Sequence, residues 1–198
     1  MRKVLVLTAM VMLAVSVAGA VPIASISANY LPGVFTPTGG LYGLGTLNIS
    51  HSSIQVVAED IYAIQTPYPS SSFMLNVPLY ADSSFGGIAN GLFMNGSLSI
   101  STLLSADILT LQLTELYNGS GILAGNGTLQ ITGGSLAADF GSIGDIVQIM
   151  FSVNPSSISN FSQSFSGISN ITLTPIPEPA TLCLLGFGGL ALLRKKKQ

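Results

Sequence analysis

From residue 41 onward the chain alternates between apolar and small polar side chains. Leu47 and Ile49 are flanked by Thr46, Asn48 and Ser50, the period-two pattern of a strand with one buried face. The phrase recurs: Gly45-Thr-Leu-Asn-Ile-Ser50, Gly96-Ser-Leu-Ser-Ile-Ser101 and Gly127-Thr-Leu-Gln-Ile-Thr132 share the form Gly-[Ser/Thr]-Leu-x-Ile-[Ser/Thr]. Their unequal spacing excludes a fixed-period solenoid. They are expected to be three equivalent strands, each starting from a turn at its glycine. Ile54 to Ala58 and Ile61 to Ile64 read as apolar runs flanking Glu59-Asp60. Phe73 to Tyr80 reads as a strand pushed towards an edge by Pro78. Asp107 to Thr114 places Leu109, Leu111 and Leu113 on one face, and the Asn-Gly pairs at 118–119 and 126–127 signal hairpin turns around Ile122 to Ala124. Ile146 to Val153 and Ile168 to Thr174 supply closing strands, and one helical turn is expected over Leu136 to Phe140. About eight to ten short strands predict an all-β domain, an antiparallel β-sandwich of jelly-roll type, with a flattened barrel as the runner-up. Residues 41–174 carry that domain. Residues 21–40, with Pro22, Pro32 and Pro37, read as a lead-in contributing at most an edge strand.

Both ends break the alternation. Met1-Arg2-Lys3, an apolar run from Val4 to Val17 and the small-x-small triplet Ala18-Gly19-Ala20 form a secretory signal peptide over residues 1–20, cut after Ala20. Residues 175–198 hold three features in order: Pro177-Glu178-Pro179, an uncharged apolar stretch from Ala180 to Leu193, and the basic run Arg194, Lys195, Lys196 and Lys197. The prolines remove two backbone donors and force an extended peptide. As a helix, residues 180–193 reach about 21 Å, short of a hydrocarbon core of about 30 Å. The basic run has the sign retained on the cytoplasmic side, which places the domain outside. Gly186, Gly188 and Gly189 leave a smooth helix face for close approach of a partner helix.

These C-terminal residues closely resemble the PEP-CTERM sorting signal. The resemblance implies recognition and cleavage by an exosortase, a multi-pass membrane enzyme of Gram-negative bacteria that make extracellular polysaccharide. It further implies an inner-membrane intermediate held by the C-terminal helix, a destination at the cell surface or in the extracellular matrix, and association with polysaccharide. It implies nothing about the fold or activity of the passenger domain.

Charge sharpens the picture once the two targeting segments are set aside. All six Lys+Arg residues lie in them, whereas all eight Asp+Glu residues lie between Val21 and Pro179. The exported part is thus purely anionic, which argues against nucleic acid or anionic lipid surfaces as its partners. The single cysteine, Cys183, belongs to the C-terminal apolar stretch, so the domain has no disulfide, thiol nucleophile or thiolate metal site.

Candidate chemistry in the domain is sparse. His51 is the sole histidine, in the Ser-rich run His51-Ser-Ser53 without a Gly-x-Ser-x-Gly elbow. Adjacent carboxylates such as Glu59 and Asp60 on a strand point apart. A structural Ca²⁺ site is the cation chemistry an anionic exported domain admits, but Asp107, Asp139 and Asp145 are scattered and form no calcium-loop pattern. No catalytic residue, metal site or cofactor is assigned. Asn-x-Ser/Thr triplets at Asn48, Asn95, Asn118, Asn126, Asn160 and Asn170 read as products of strand composition rather than glycan acceptors. Tyr62, Tyr68, Tyr80 and Tyr117 are candidates for a sugar-stacking face, with packing as the plainer role. The expectation is a non-catalytic surface or matrix protein, with a carbohydrate- or calcium-binding module as the alternative.

Overall fold

The computed structural model describes residues 23–37, 44–117, 120–155 and 158–176. The signal peptide and the sorting helix lie outside them. Eight strands follow one another as an antiparallel meander: β1 (Ile23–Thr36), β2 (Thr46–Asp60), β3 (Gln65–Asp82), β4 (Asn90–Ile100), β5 (Leu104–Glu115), β6 (Leu123–Gly133), β7 (Ile146–Pro155) and β8 (Phe165–Pro175). A one-turn helix, α1 (Ala137–Phe140), interrupts the β6–β7 connection where the sequence predicts it.

The all-β expectation holds, but the sandwich does not: β8 pairs with β1 from Ile26↔Leu173 to Phe35↔Phe165, and the sheet closes into a barrel. The segment read as a lead-in supplies β1, which pairs on both sides and is no edge. Closure removes the free edges that two stacked sheets would retain.

An eight-stranded barrel is just wide enough for side chains to fill, and this one is filled. The inward positions of the recurring phrase, Leu47 and Ile49, Leu98 and Ile100, Leu129 and Ile131, are all buried, as the alternation requires. The outer wall carries Asn48, Thr110, Gln112, Asn126, Thr128, Gln148 and Thr172, all exposed or half-buried. Val34, Met74, Met150 and Ile168 are exposed on the same wall, so its surface is mixed.

Both mouths are plugged. Leu136, Ala137 and Phe140 of the α1 segment are buried at the end where β1 begins. At the other end Phe161, from the β7–β8 loop, drops among Phe35, Phe93 and Phe165, with ring centroids 5.3, 5.4 and 6.2 Å away. Its backbone N–H donates to Asp82 Oδ2 at 3.1 Å, which fixes the loop over the mouth.

Bulges account for the places where simple alternation misleads. Gly45 precedes β2, as expected, but Gly96 and Gly127 lie inside β4 and β6 rather than at turns. Each stands beside a register shift in the neighbouring strand, between Asn76 and Leu79 of β3 and between Ile108 and Thr110 of β5. There a carbonyl crowds the space a Cβ would need: Asn76 O at 2.6 Å for Gly96 and Thr110 O at 2.0 Å for Gly127. The same β5 bulge turns Ile108 inward beside Leu111 and Leu113 and leaves Leu109 only half-buried. Pro78 is tolerated in a strand paired on both sides because it sits at the β3 shift, where the ladder is already interrupted. Ile61 to Ile64 is the β2–β3 turn, not a strand.

Candidate functional site

The residues with a sorting role assigned from sequence, Ala18, Ala20, Pro177, Glu178, Pro179 and Arg194 to Lys197, lie outside the described residues. What the fold positions is the point from which the sorting segment departs. β8 ends at Pro175, paired with Val147, and Ile176 follows it. The register Ile23↔Asp60 and Ile26↔Leu173 puts this exit at the same barrel end as the start of β1 and the β2–β3 turn. Pro177 therefore follows the barrel rim by two residues.

On the domain itself, the carboxylates serve turns. Asp60 Oδ1 accepts the N–H groups of Tyr62 (2.8 Å) and Ile64 (2.9 Å). Asp82 Oδ1 accepts Ser84 N–H at 2.9 Å, and Asp145 Oδ2 accepts Ser142 N–H at 2.7 Å. Glu59 accepts Gln65 Nε2–H at 3.1 Å. Among the described residues no three His, Cys, Asp or Glu side chains gather as metal ligands. Glu115 is the unexpected member: it faces inward, 2 % exposed, and Oε1 accepts Gly121 N–H at 3.2 Å. Its Oε2 is buried with no hydrogen-bond partner among the described residues.

Several sequon asparagines are engaged in the wall. Asn170 Oδ1 accepts Tyr30 N–H at 3.2 Å, Asn48 accepts from Asn76, and Asn160 Oδ1 accepts Ser162 N–H at 3.0 Å. Of the tyrosines singled out, Tyr68 packs against the core, whereas Tyr62 and Tyr117 are exposed at opposite barrel ends and form no common platform.

One hollow on the outer wall involves a tyrosine the sequence reading passed over. Tyr30 adopts φ 59°, a left-handed conformation, and its side chain is 80 % exposed. Register shifts on β1 between Ala28 and Gly33 and on β2 between His51 and Ile54 open a depression of about 350 Å³, lined by Asn29, Tyr30, His51, Ser53 and Gln55 among others. His51 Nδ1 accepts the Ser53 N–H at 3.2 Å, which holds the imidazole against its own turn. The signal in the sequence is a stutter: Ala28 and Leu31 are buried while both residues between them are exposed, the spacing of a bulge rather than of a plain strand.

Comparison with known proteins bears on the C-terminus alone. Residues 175–197 match the PEP-CTERM protein-sorting motif. No curated protein and no solved structure matches the chain.

Proposed function

We propose that the barrel, carried by a chain whose PEP-CTERM signal implies an exported protein targeted to exosortase, is a non-catalytic component of the cell surface or extracellular matrix, associated with extracellular polysaccharide after its C-terminal segment is removed. The single observation that carries the reading is the motif at 175–197, which starts at the last residue of the closing strand. Support for a passenger without chemistry comes from the use of its polar groups: the one histidine binds its own turn, and Asp60, Asp82 and Asp145 cap turns. An outer wall that carries hydroxyl and amide groups and no Lys or Arg suits a hydrated polysaccharide environment, since it offers neutral hydrogen bonds without fixed cations.

The decisive experiment compares intact mass and cell fraction in the native host with and without its exosortase. The expected result is loss of the mass from about Ala180 onward only where the enzyme is present. A full-length chain in the membrane fraction of both strains refutes the processing step.

A second reading, a carbohydrate-binding module, is favoured by the Tyr30 hollow. An exposed aromatic face ringed by Asn29, Gln55 and His51 offers stacking together with neutral donors and acceptors. A strained backbone at an exposed residue is the kind of feature that accompanies binding. Saturable glycan binding lost in Tyr30→Ala supports this module. Binding unchanged by that substitution removes it.

A further inference from the structure

The barrel end from which the sorting segment departs also carries a preformed apolar tip. The β2–β3 turn exposes Ile61, Tyr62 and Ile64, with Tyr62 71 % exposed. These are not loose loop residues. Asp60 accepts Tyr62 N–H and Ile64 N–H through its side chain and Ala63 N–H through its carbonyl at 3.0 Å, while Asp60 N–H donates to the Ile64 carbonyl at 3.1 Å. The turn is thus held in one shape, with its three large apolar side chains outward.

The hairpin also projects. β3 begins at Gln65, but its first register pair with β4 is Phe73↔Ile100, so the first part of β3 and the facing part of β2 extend past the β4–β5 rim. Across the barrel, at the same end, Ile143 and Ile146 are exposed beside the exit at Ile176.

Covalent reach supplies the partner. Ala180, the first residue of the uncharged apolar stretch, is four residues from Ile176, no more than about 14 Å along a fully extended chain. Ile176 lies beside Gln148 and Thr128 near the start of β7, so once residues 180–193 occupy a bilayer the tether keeps this side and end of the barrel within reach of the headgroups.

We propose that the Ile61-Tyr62-Ala63-Ile64 tip docks into the headgroup region of the bilayer in the unprocessed protein, with zwitterionic lipid as its partner. The inference rests on the exosortase-targeted reading, since the C-terminal segment provides the tether. A tyrosine between isoleucines suits the interface, where an amphipathic ring sits with its hydroxyl in water and its face in lipid. Glu59 and Asp60 stand directly behind the tip, and no Lys or Arg lies between Val21 and Pro179 to attract acidic headgroups, so neutral lipid is preferred over anionic. Docking fixes the barrel on two points, the tether and the tip, and thereby sets the height at which Pro177-Glu178-Pro179 is presented.

The test uses the full chain in phosphatidylcholine vesicles, with the sole cysteine changed (Cys183→Ser) and a fluorophore on a single new cysteine at Tyr62→Cys or Phe85→Cys. Phe85 is the control because it is 88 % exposed and apolar but lies in the β3–β4 connection at the opposite end. Headgroup-nitroxide lipid is expected to quench the label at 62 by about twofold or more, as for a side chain seated in the interface, and to leave the label at 85 nearly unchanged. Adding Ile61→Ser and Ile64→Ser is expected to abolish the quenching at 62. Equal emission at 62 and 85 in chains that resist carbonate extraction overturns the docking and leaves the sorting reading intact. Chains released by carbonate overturn both. Quenching at 62 that requires added exosortase overturns the lipid partner in favour of the enzyme.

Discussion

The glycines of β6 allow a test in which the same substitution has opposite signs on one strand. An alanine Cβ at Gly125 would lie 1.7 Å from the Gln112 carbonyl oxygen, and one at Gly127 would lie 2.0 Å from that of Thr110. An ordinary carbon–oxygen contact is about 3.3 Å, so β5 must retreat by about 1.6 Å or about 1.3 Å respectively. The obstructing atoms are backbone, and a displacement of that size breaks ladder hydrogen bonds worth about 1 kcal/mol each. With an overpacking cost of about 1–3 kcal/mol, and a gain of about 0.5–1 kcal/mol from restricting the unfolded chain, the net loss is about 2–4 kcal/mol. Gly133, on the same strand, has none of the described residues within 4 Å of its Cβ position, and Gly133→Ala should gain about 0.4–1 kcal/mol. In thermal unfolding of the mature chain followed by circular dichroism, Gly125→Ala and Gly127→Ala should lower Tm by roughly 5–15 °C while Gly133→Ala raises it by roughly 1–4 °C. Equal shifts at 127 and 133, or a Gly127→Ala protein that melts with the wild type, would show that β5 does not approach β6 as described.

The other predictions concern the mouth, the tip, the left-handed tyrosine and the missing cations. Phe161→Ala leaves a hole among three rings in a site now 1 % exposed, and should cost about 3–5 kcal/mol, read as a lower urea midpoint at unchanged m. Asp60→Ala removes two hydrogen bonds from an exposed turn and should cost about 1 kcal/mol, accompanied by faster amide exchange at Tyr62 and Ile64. Tyr30→Gly relieves a positive φ without removing buried surface and should stabilise the barrel by about 1 kcal/mol in the same melts. Trypsin, even after denaturation, should find no cleavable bond between Val21 and Glu178, because every Lys and Arg lies outside that span; an internal tryptic fragment contradicts the reading.

The last two strands show how much of the fold was legible. The alternation through Ile146 to Val153 and Ile168 to Thr174 marks β7 and β8 correctly, because burial of one face imposes it locally. Whether β8 turns back onto β1 is decided by pairs such as Phe35↔Phe165, between residues 130 positions apart, and a sandwich imposes the same alternation. Bulges were hidden for a related reason. Leu109 reads as one of three aligned leucines, yet the slip at Ile108/Thr110 depends on the carbonyl of β5 meeting a glycine on β6. The sorting segment was legible because its order along the chain carries the recognition. The Tyr30 hollow was not, since it requires two bulges on different strands to fall side by side.

The seam between β1 and β8 has a consequence in time. Export delivers the chain from its N-terminus, so β1 through β7 are available before the strand that completes them. Until β8 arrives, β1 and β7 are unpaired edges, open to pairing with another chain. The strand that ends this exposure finishes at Pro175, where the sorting motif begins. Completion of the barrel and the start of the sorting motif therefore meet at Pro175, and a chain stalled before that residue lacks both the closing strand and the sorting motif.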